Sequence, residues 1–216
     1  FCHICIMHIW FSKKKGAKVV VIDSYKSRTA KQADVHIEPK PGSDGALAIA
    51  IINHIIYNNL IDKDYIDKYT NGFNELKEHV KHKDSKWASK ITGIPKETIV
   101  NLANDMATIQ PVGIRIGVAL ERHHGGGQTI RAVTCIPALT GSWKYVGGGI
   151  TQFPVWEHPY KFDVICRPDL IPKNTRVVNA LQIGRALLGE NIEKDKPIMS
   201  MMCWNATPVT QAAETE

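Results

Sequence analysis

Long apolar runs are missing from this sequence. A membrane-spanning helix needs about 18 consecutive apolar residues, whereas the longest run here, residues 46–52, ends at Asn53 and His54. We therefore expect no membrane segment in the chain. The first eleven residues are apolar, but they lack the basic start and small-residue cleavage site of a signal peptide.

Cysteine is too scarce for a disulfide framework. The chain has five cysteines in 216 residues, an odd number in a chain too long to need covalent staples. This pattern indicates a reducing compartment, and we expect a cytoplasmic protein. Cys2 and Cys5 are either half of a metal or iron–sulfur site or two buried thiols. Because no further cysteine precedes Cys135, we assign no metal ligand.

Basic tracts are also absent. The net charge is +6, from 27 Lys and Arg against 21 Asp and Glu, but no run of basic residues exceeds residues 13–15. The surplus of positive charge favours an anionic small-molecule partner. Its even distribution argues against a nucleic-acid partner.

The common fingerprints of nucleotide and hydrolase sites do not occur either. The sequence contains no G-x-x-x-x-G-K-[ST], no G-x-G-x-x-G after its first strand-like run and no G-x-S-x-G. These absences disfavour P-loop, NAD-binding and serine-hydrolase chemistry.

What the sequence does contain is an alternation of strand and helix patterns. The run KVVVID at residues 18–23 is typical of a buried parallel strand, and further strands are expected at 35–37, 112–118 and 197–203. The intervening segments have helical spacing or helix-start residues, at 46–57, 62–69, 74–81, 85–91, from Pro95 to Met106, 128–139 and 179–188. We predict an α/β fold: a Rossmann-like parallel sheet flanked by helices, within a larger multidomain protein.

Two lobes are expected in this fold. Residues 1–150 are expected to form one α/β lobe. Residues 151–216 contain an irregular excursion over 150–175 and then the start of a second α/β lobe.

In such folds a ligand lies at the carboxyl ends of the strands. Polar or glycine-rich sequence follows the predicted strands at 23–28, 117–127 and 204–208. Asp23 can accept two hydrogen bonds from a ribose or a base, and glycines 125–127 allow a phosphate to approach the start of a helix. Arg28, Arg115 and Arg122 offer charge for a diphosphate. The sequence thus favours a nucleotide-like ligand.

These residues lie in a pattern that resembles the molybdopterin oxidoreductases of the dimethyl sulfoxide reductase and formate dehydrogenase superfamily. The resemblance starts with GAKVVVIDSYKSRTAKQADVHIEPKPGSDGALAIAI and continues through WASKITGIPKETIVNLA, IRIGVALERHHGGGQTIRAV, VVNALQIGRALL and MSMMCWNATPV. It covers about residues 14–210 in order.

The resemblance implies a cofactor of molybdenum, or tungsten, held by two molybdopterin guanine dinucleotides, and it makes residues 1–150 a dinucleotide-binding lobe. It implies cofactor-binding roles, but no catalytic residue and no metal ligand, for the following positions: Asp23, Ser24, Tyr25, Lys26, Ser27, Arg28, Gly42, Ser43, Asp44, Gly117, Glu121, Arg122, His123, Asn205, Thr207 and Pro208. In particular, Asp44 would accept from guanine, the loop 117–123 would lie near the pterin, and Asn205, Thr207 and Pro208 would serve the second dinucleotide.

The sequence departs from the family pattern at three of these positions. Ser24 replaces the usual proline, Glu121 the usual glutamine and Thr207 the usual asparagine. The family's four-cysteine motif does not occur, so an iron–sulfur cluster is expected in an N-terminal region beyond this sequence.

The resemblance further implies two-electron chemistry on a small substrate of the formate, nitrate or sulfur-oxyanion type, with an electron-transfer partner protein, and an isolated 216-residue chain that is inactive. Two alternatives remain. One is a non-catalytic scaffold, such as an iron–sulfur subunit of NADH dehydrogenase. The other is an unrelated α/β nucleotide-binding domain.

Overall fold

The computed structural model describes residues 11–152, 160–190 and 196–203. They belong to two compact units, Phe1–His158 and Pro159–Glu216. The first unit combines short parallel strands with longer helices, which confirms the predicted α/β class.

The strands occur as two parallel pairs. β1 (Val20–Ile22) pairs with β2 (Val35–Ile37), and β3 (Gly113–Arg115) pairs with β4 (Gly149–Thr151). In the described residues these pairs form separate two-stranded sheets.

β1 is shorter than the predicted strand over 18–23, and a side chain takes the hydrogen bond of the residue before it. The Val19 N–H donates to Asp34 Oδ2 at 2.8 Å. The ladder of β1 with β2 therefore begins at Val20.

The helices of the first unit lie between and after these strands. Their bounds are α1 (Asp44–Tyr57), α2 (Lys63–Tyr69), α3 (Phe73–Val80), α4 (Ser85–Thr92), α5 (Lys96–Thr108) and α6 (Gly126–Leu139). Short 3₁₀ turns occur at Ala30–Gln32, Leu120–Arg122 and Ser142–Lys144. Each predicted helix is present, with ends shifted by a few residues.

α1 is the central helix of the first unit. It is apolar nearly all round, and it packs against α4, α5 and α6, so that side chains such as Ile52 and Ile55 are fully buried. Its one buried polar side chain, Asn53, donates to Val80 O at 2.8 Å and more weakly to Lys81 O at 3.3 Å. Asn53 thereby satisfies carbonyl groups at the end of α3.

Side chains and glycines at the helix ends explain where several helices begin. Asp62 accepts from the Tyr65 N–H at 3.0 Å ahead of α2, and Asp84 accepts from the Trp87 N–H at 2.8 Å ahead of α4. α6 starts two residues earlier than predicted, after Gly125, whose φ of +75° lies in the left-handed region.

β4 was not predicted, since its sequence is the end of a glycine run and the start of the segment expected to be irregular. Gly149 is the first residue of the strand. A side chain would not fit there, because a Cβ on Gly149 would overlap the Trp143 ring. The Gly149 N–H donates to Val112 O at 2.9 Å, and β3 supplies the partner that defines the strand. The irregular excursion therefore begins after Thr151.

The described part of the second unit contains α7 (Phe162–Cys166), α8 (Ile183–Leu187) and the 3₁₀ turns Pro168–Leu170 and Ala180–Gln182. The helix predicted over 179–188 is thus a 3₁₀ turn followed by a short α-helix, with Gly189 after its end at φ +85°.

The strand predicted over 197–203 is wrong. These residues have no regular secondary structure and are mostly exposed, with Met199 at 86% and Met202 at 81%. A strand needs a neighbour for its hydrogen bonds, and no described residue provides one here. None of the helices in the described ranges combines the length and apolar character that crossing a bilayer requires.

Candidate functional site

The first predicted group of site residues follows β1. Asp23 is exposed and its Oδ1 accepts from the Tyr25 N–H at 3.1 Å, which closes a tight turn. Ser27 Oγ accepts from the Ala30 N–H at 3.2 Å and starts the 3₁₀ turn. Ser24, Tyr25, Lys26 and Arg28 are exposed, with Tyr25 at 73%. The loop therefore presents polar and basic side chains to its surroundings.

The second group is the turn between β2 and α1. Gly42 has a φ of +77°, a conformation that favours glycine. Ser43 is buried, and its hydroxyl donates to Lys40 O at 2.6 Å instead of capping the helix. Asp44 is the first residue of α1 and is half-buried. A carboxylate at this position is stabilised by the helix dipole whether or not it also binds a ligand.

The third group follows β3. The chain leaves the strand at Gly117 and forms the 3₁₀ turn Leu120–Arg122, then reaches α6. This turn rests directly on the start of α6: a Cβ on Gly126 would lie 2.5 Å from Leu120 O and 2.7 Å from Glu121 C. By contrast, a Cβ on Gly117, Gly125 or Gly127 would meet no heavy atom within 4 Å. The loop is thus packed on one side and open on the other.

The second and third groups converge, and the first is linked to them through β2. The Asp23 N–H donates to Ile37 O at 3.0 Å, which joins the first loop to the end of β2. The position of a Cβ on Gly42 is 3.5 Å from His123 Nδ1, and that of a Cβ on Gly45 is 2.8 Å from Thr129 Oγ1. The loops around 42 and 123 are therefore in contact, and so are the first turns of α1 and α6.

The donors at this convergence suit an anion. Among the hydrogen bonds of the described residues, the N–H groups of Asp44, Gly45 and Gly127 have no acceptor, as expected in the first turns of helices. Exposed basic side chains, Lys26, Arg28 and Arg122, belong to the same loops. The arrangement is therefore suited to an anionic group such as a phosphate.

One predicted group and the C-x-x-C pair lie outside the described residues. These are Asn205, Thr207 and Pro208, and Cys2 and Cys5. Among the described cysteines, Cys166 and Cys203 are exposed, while burial raises the pKa of the Cys135 thiol. No cluster of three or more His, Cys, Asp or Glu side chains suited to a metal occurs in the described ranges.

Two residues at the convergence were not predicted. Gln152 donates from Nε2 to Glu121 Oε2 at 3.0 Å, and His36 Nε2 lies 3.0 Å from Asp23 O. Gln152 is a polar residue directly after a strand, which is the signal that identified the loops after β1 and β3. It was missed because β4 was missed.

The profile of the family described as molybdopterin oxidoreductase matches residues 3–215. The chain is 40% identical over 204 residues to the probable oxidoreductase YoaE of Bacillus subtilis, covering 94% of this chain and 29% of that protein. It is 36% identical over 139 residues to an F420-dependent formate dehydrogenase subunit alpha of Methanocaldococcus jannaschii, covering 64% and 21%.

A solved structure shows the same likeness. Acetylene hydratase from Pelobacter acetylenicus superposes with a TM-score of 0.61 at 31% identity, over 65% of this chain and 19% of that one. The chain thus spans less than a third of the length of these relatives. The family match over nearly the whole sequence is the decisive observation: the chain belongs to the molybdopterin oxidoreductase family.

Proposed function

We propose that this region binds molybdopterin in its guanine dinucleotide form, as part of a molybdenum or tungsten oxidoreductase. The observation that carries the proposal is the contact between the loops around residues 42 and 123, with the first turns of α1 and α6 side by side. Membership of the family implies a molybdenum or tungsten pterin cofactor. When bound, that cofactor supplies the oxidation–reduction chemistry.

The residues of this chain bind and orient the dinucleotide. The N–H groups at the start of α1 and α6 favour the diphosphate, and Lys26, Arg28 and Arg122 add charge. Asp44 accepts two hydrogen bonds from the N1–H and amino group of guanine. The loop over residues 23–28 lies along the dinucleotide, and residues 117–123 lie near the pterin.

A second dinucleotide is part of the proposal. Asn205, Thr207 and Pro208 match the turn that serves it in the resemblance, although they are outside the described residues. We further propose that β1–β4 are parts of a larger Rossmann-like sheet completed in the whole protein. Residues 1–150 are then one dinucleotide-binding lobe, and residues 151–216 contain the excursion and start the second.

The reaction of the whole protein is proposed from its relatives. One relative is named a formate dehydrogenase subunit and another a dimethyl sulfoxide reductase chain, which supports two-electron redox of a small substrate of the formate, nitrate or sulfur-oxyanion type. Acetylene hydratase is named for a hydration, so the family includes other reaction types. We propose an iron–sulfur cluster in the N-terminal region, an electron-transfer partner protein and a cytoplasmic location.

The test is a chemical analysis of the purified full-length protein. Metal is measured by mass spectrometry, pterin by fluorescence after oxidative extraction, and nucleotide by chromatography after acid hydrolysis. We expect molybdenum or tungsten, pterin, and guanine nucleotide in excess over metal. Protein without pterin, or pterin without guanine nucleotide, would overturn the proposal.

A further inference from the structure

His36 in β2 has a polar side chain that is almost completely buried. Its neighbours on the strand are apolar: Ile37 belongs to the core, and Val35 packs against it. Since successive side chains of a strand alternate, His36 lies on the opposite face of β2. Its side chain is nevertheless only 9% exposed. A polar ring buried to this extent needs hydrogen-bond partners to be stable.

Both ring nitrogens of His36 have such a partner. Nε2 lies 3.0 Å from Asp23 O, and Nδ1 lies 3.2 Å from Glu38 Oε1. A carbonyl oxygen and a carboxylate oxygen can only accept hydrogen bonds. The tautomer with hydrogen on Nε2 therefore donates to Asp23 O, and the protonated ring donates to Glu38 as well. His36 thus joins the middle of β2 to the residue at which the loop after β1 begins.

Asp23 is held by three hydrogen bonds, of which the bond from His36 is one. Its N–H donates to Ile37 O at 3.0 Å, and its Oδ1 accepts from the Tyr25 N–H at 3.1 Å. Among the hydrogen bonds of the described residues, none is made to Asp23 Oδ2. Asp23 therefore presents one available carboxylate oxygen from a backbone that is already held. A side chain placed in this way loses less freedom on binding a ligand than a free surface aspartate.

We propose that His36 is a positioning residue of the loop over residues 23–28: its bond to Asp23 O sets the direction in which this loop leaves β1 before the dinucleotide binds. The inference rests on the proposed function and adds to it a residue that acts through Asp23. Glu38 orients the ring by facing Nδ1. The polar and basic side chains of the loop are then largely in place when the ligand arrives, so that less ordering accompanies binding.

The test measures hydrogen exchange of the loop and release of nucleotide in the full-length protein. Exchange is followed by mass spectrometry, in protein made without cofactor, for peptides that cover residues 23–29. The Tyr25 and Ser27 N–H groups are hydrogen-bonded within this loop, so their exchange reports how firmly it is held. We expect His36→Leu, which removes the donor, to make this exchange about 3–10-fold faster. Guanine nucleotide, assayed by chromatography after gel filtration, should leave the holoprotein faster by a similar factor.

Two further variants separate positioning from a general loss of stability. His36→Gln keeps an Nε2 donor and should restore slow exchange and slow nucleotide release. His54→Leu is the matched control, because His54 is also partly buried and its Nε2 lies 2.9 Å from Asn104 Oδ1, between α1 and α5. We expect it to leave loop exchange and nucleotide release unchanged, even where it lowers the melting temperature. Loop exchange that follows the melting temperature in all three variants, or no recovery in His36→Gln, would overturn the inference.

Asp44→Ala, measured in parallel, separates this inference from the proposed function. If Asp44→Ala loses guanine nucleotide while His36→Leu retains it like the unchanged protein, the positioning role is wrong and the proposed function stands. If the unchanged protein contains no guanine nucleotide, both are wrong.

Discussion

Gly45 in α1 and Thr129 in α6 are so close that a Cβ on Gly45 would lie 2.8 Å from Thr129 Oγ1. The first turns of these two helices, each 14 residues long, are therefore side by side. The positive ends of two helix dipoles therefore lie close together, and an anion near either end is stabilised by about 0.3–1 kcal/mol. The carboxylate of Asp44 already lies in the first turn of α1.

Adjacent glycines at the start of α6 should respond in opposite ways to the same substitution. Gly126→Ala puts a methyl group against the backbone of Leu120 and Glu121, so we expect a loss of about 1–3 kcal/mol in the free energy of unfolding. Gly127→Ala meets no heavy atom within 4 Å and should be neutral or stabilising by up to about 1 kcal/mol. Urea unfolding followed by circular dichroism compares the two. Equal midpoints would contradict the packing described for Gly126.

Asp44→Ala should weaken cofactor retention. A charge-assisted pair of hydrogen bonds to guanine is worth roughly 2–4 kcal/mol, which corresponds to binding weaker by a factor of about 30 or more. The measurement is molybdenum and guanine nucleotide content of the purified full-length protein. Glu97→Ala is the matched control, because Glu97 also lies in a first helical turn, that of α5. Normal molybdenum and guanine nucleotide content in both variants would contradict the guanine-binding role. Asp44 would then only stabilise α1 through the helix dipole.

Asp62 should make stability depend on acidic pH. The hydrogen bond from Lys144, together with the Tyr65 N–H, holds the pKa of Asp62 below its ordinary value of 3.8. The folded state therefore gains stability from this carboxylate above about pH 4, the ordinary range of an unfolded aspartate. That gain is lost as the pH falls through the lowered pKa of the folded protein.

Substitutions at position 62 separate the charge from the helix cap. Asp62→Asn keeps a side chain that can cap α2. It should mainly reduce the fall in the free energy of unfolding as the pH becomes acidic. Asp62→Ala should in addition cost about 0.5–2 kcal/mol at neutral pH. Urea midpoints between pH 3 and pH 7 give both quantities. If the urea midpoint of Asp62→Asn falls with pH as steeply as that of the unchanged protein, other carboxylates determine the pH dependence.

The 216 residues alone should show no redox turnover with formate, nitrate or sulfur oxyanions. Electrons need a cluster within tunnelling reach, and no described cluster of side chains is suited to hold a metal. The assay is reduction of a viologen dye by the purified chain after reconstitution with cofactor. Turnover well above that of free cofactor would require a new search for metal ligands, starting with Cys2, Cys5 and Glu121.

Local sequence patterns predicted most of the elements because each pattern has a local cause. The apolar run at residues 46–52 produced α1, and the acids Asp62 and Asp84 mark the starts of α2 and α4. β4 escaped prediction because its partner is distant: Gly149 pairs with Gly113, and a glycine has no strand preference of its own. The strand expected over 197–203 failed for the related reason that apolar residues form a strand only beside another strand.

The candidate site was predicted loop by loop, but its assembly was not. Asp23 and Gly117 were identified as residues that follow a predicted strand, and Asp44 through the resemblance to the family. The contacts of Gly42 with His123 and of Gly45 with Thr129 arise from the packing of α1 against α6, which joins segments more than 80 residues apart. Spacing along one sequence does not encode that contact.

The buried amide of Asn53 has a consequence for how the first unit opens. It holds the carbonyls of Val80 and Lys81 from within α1, so unwinding the last turn of α3 would leave a donor without a partner inside the core. The end of α3 and the middle of α1 are thereby linked in a single opening event. Amide hydrogen exchange near the end of α3 should then be as slow as in the middle of α1, although α3 itself lies largely at the surface.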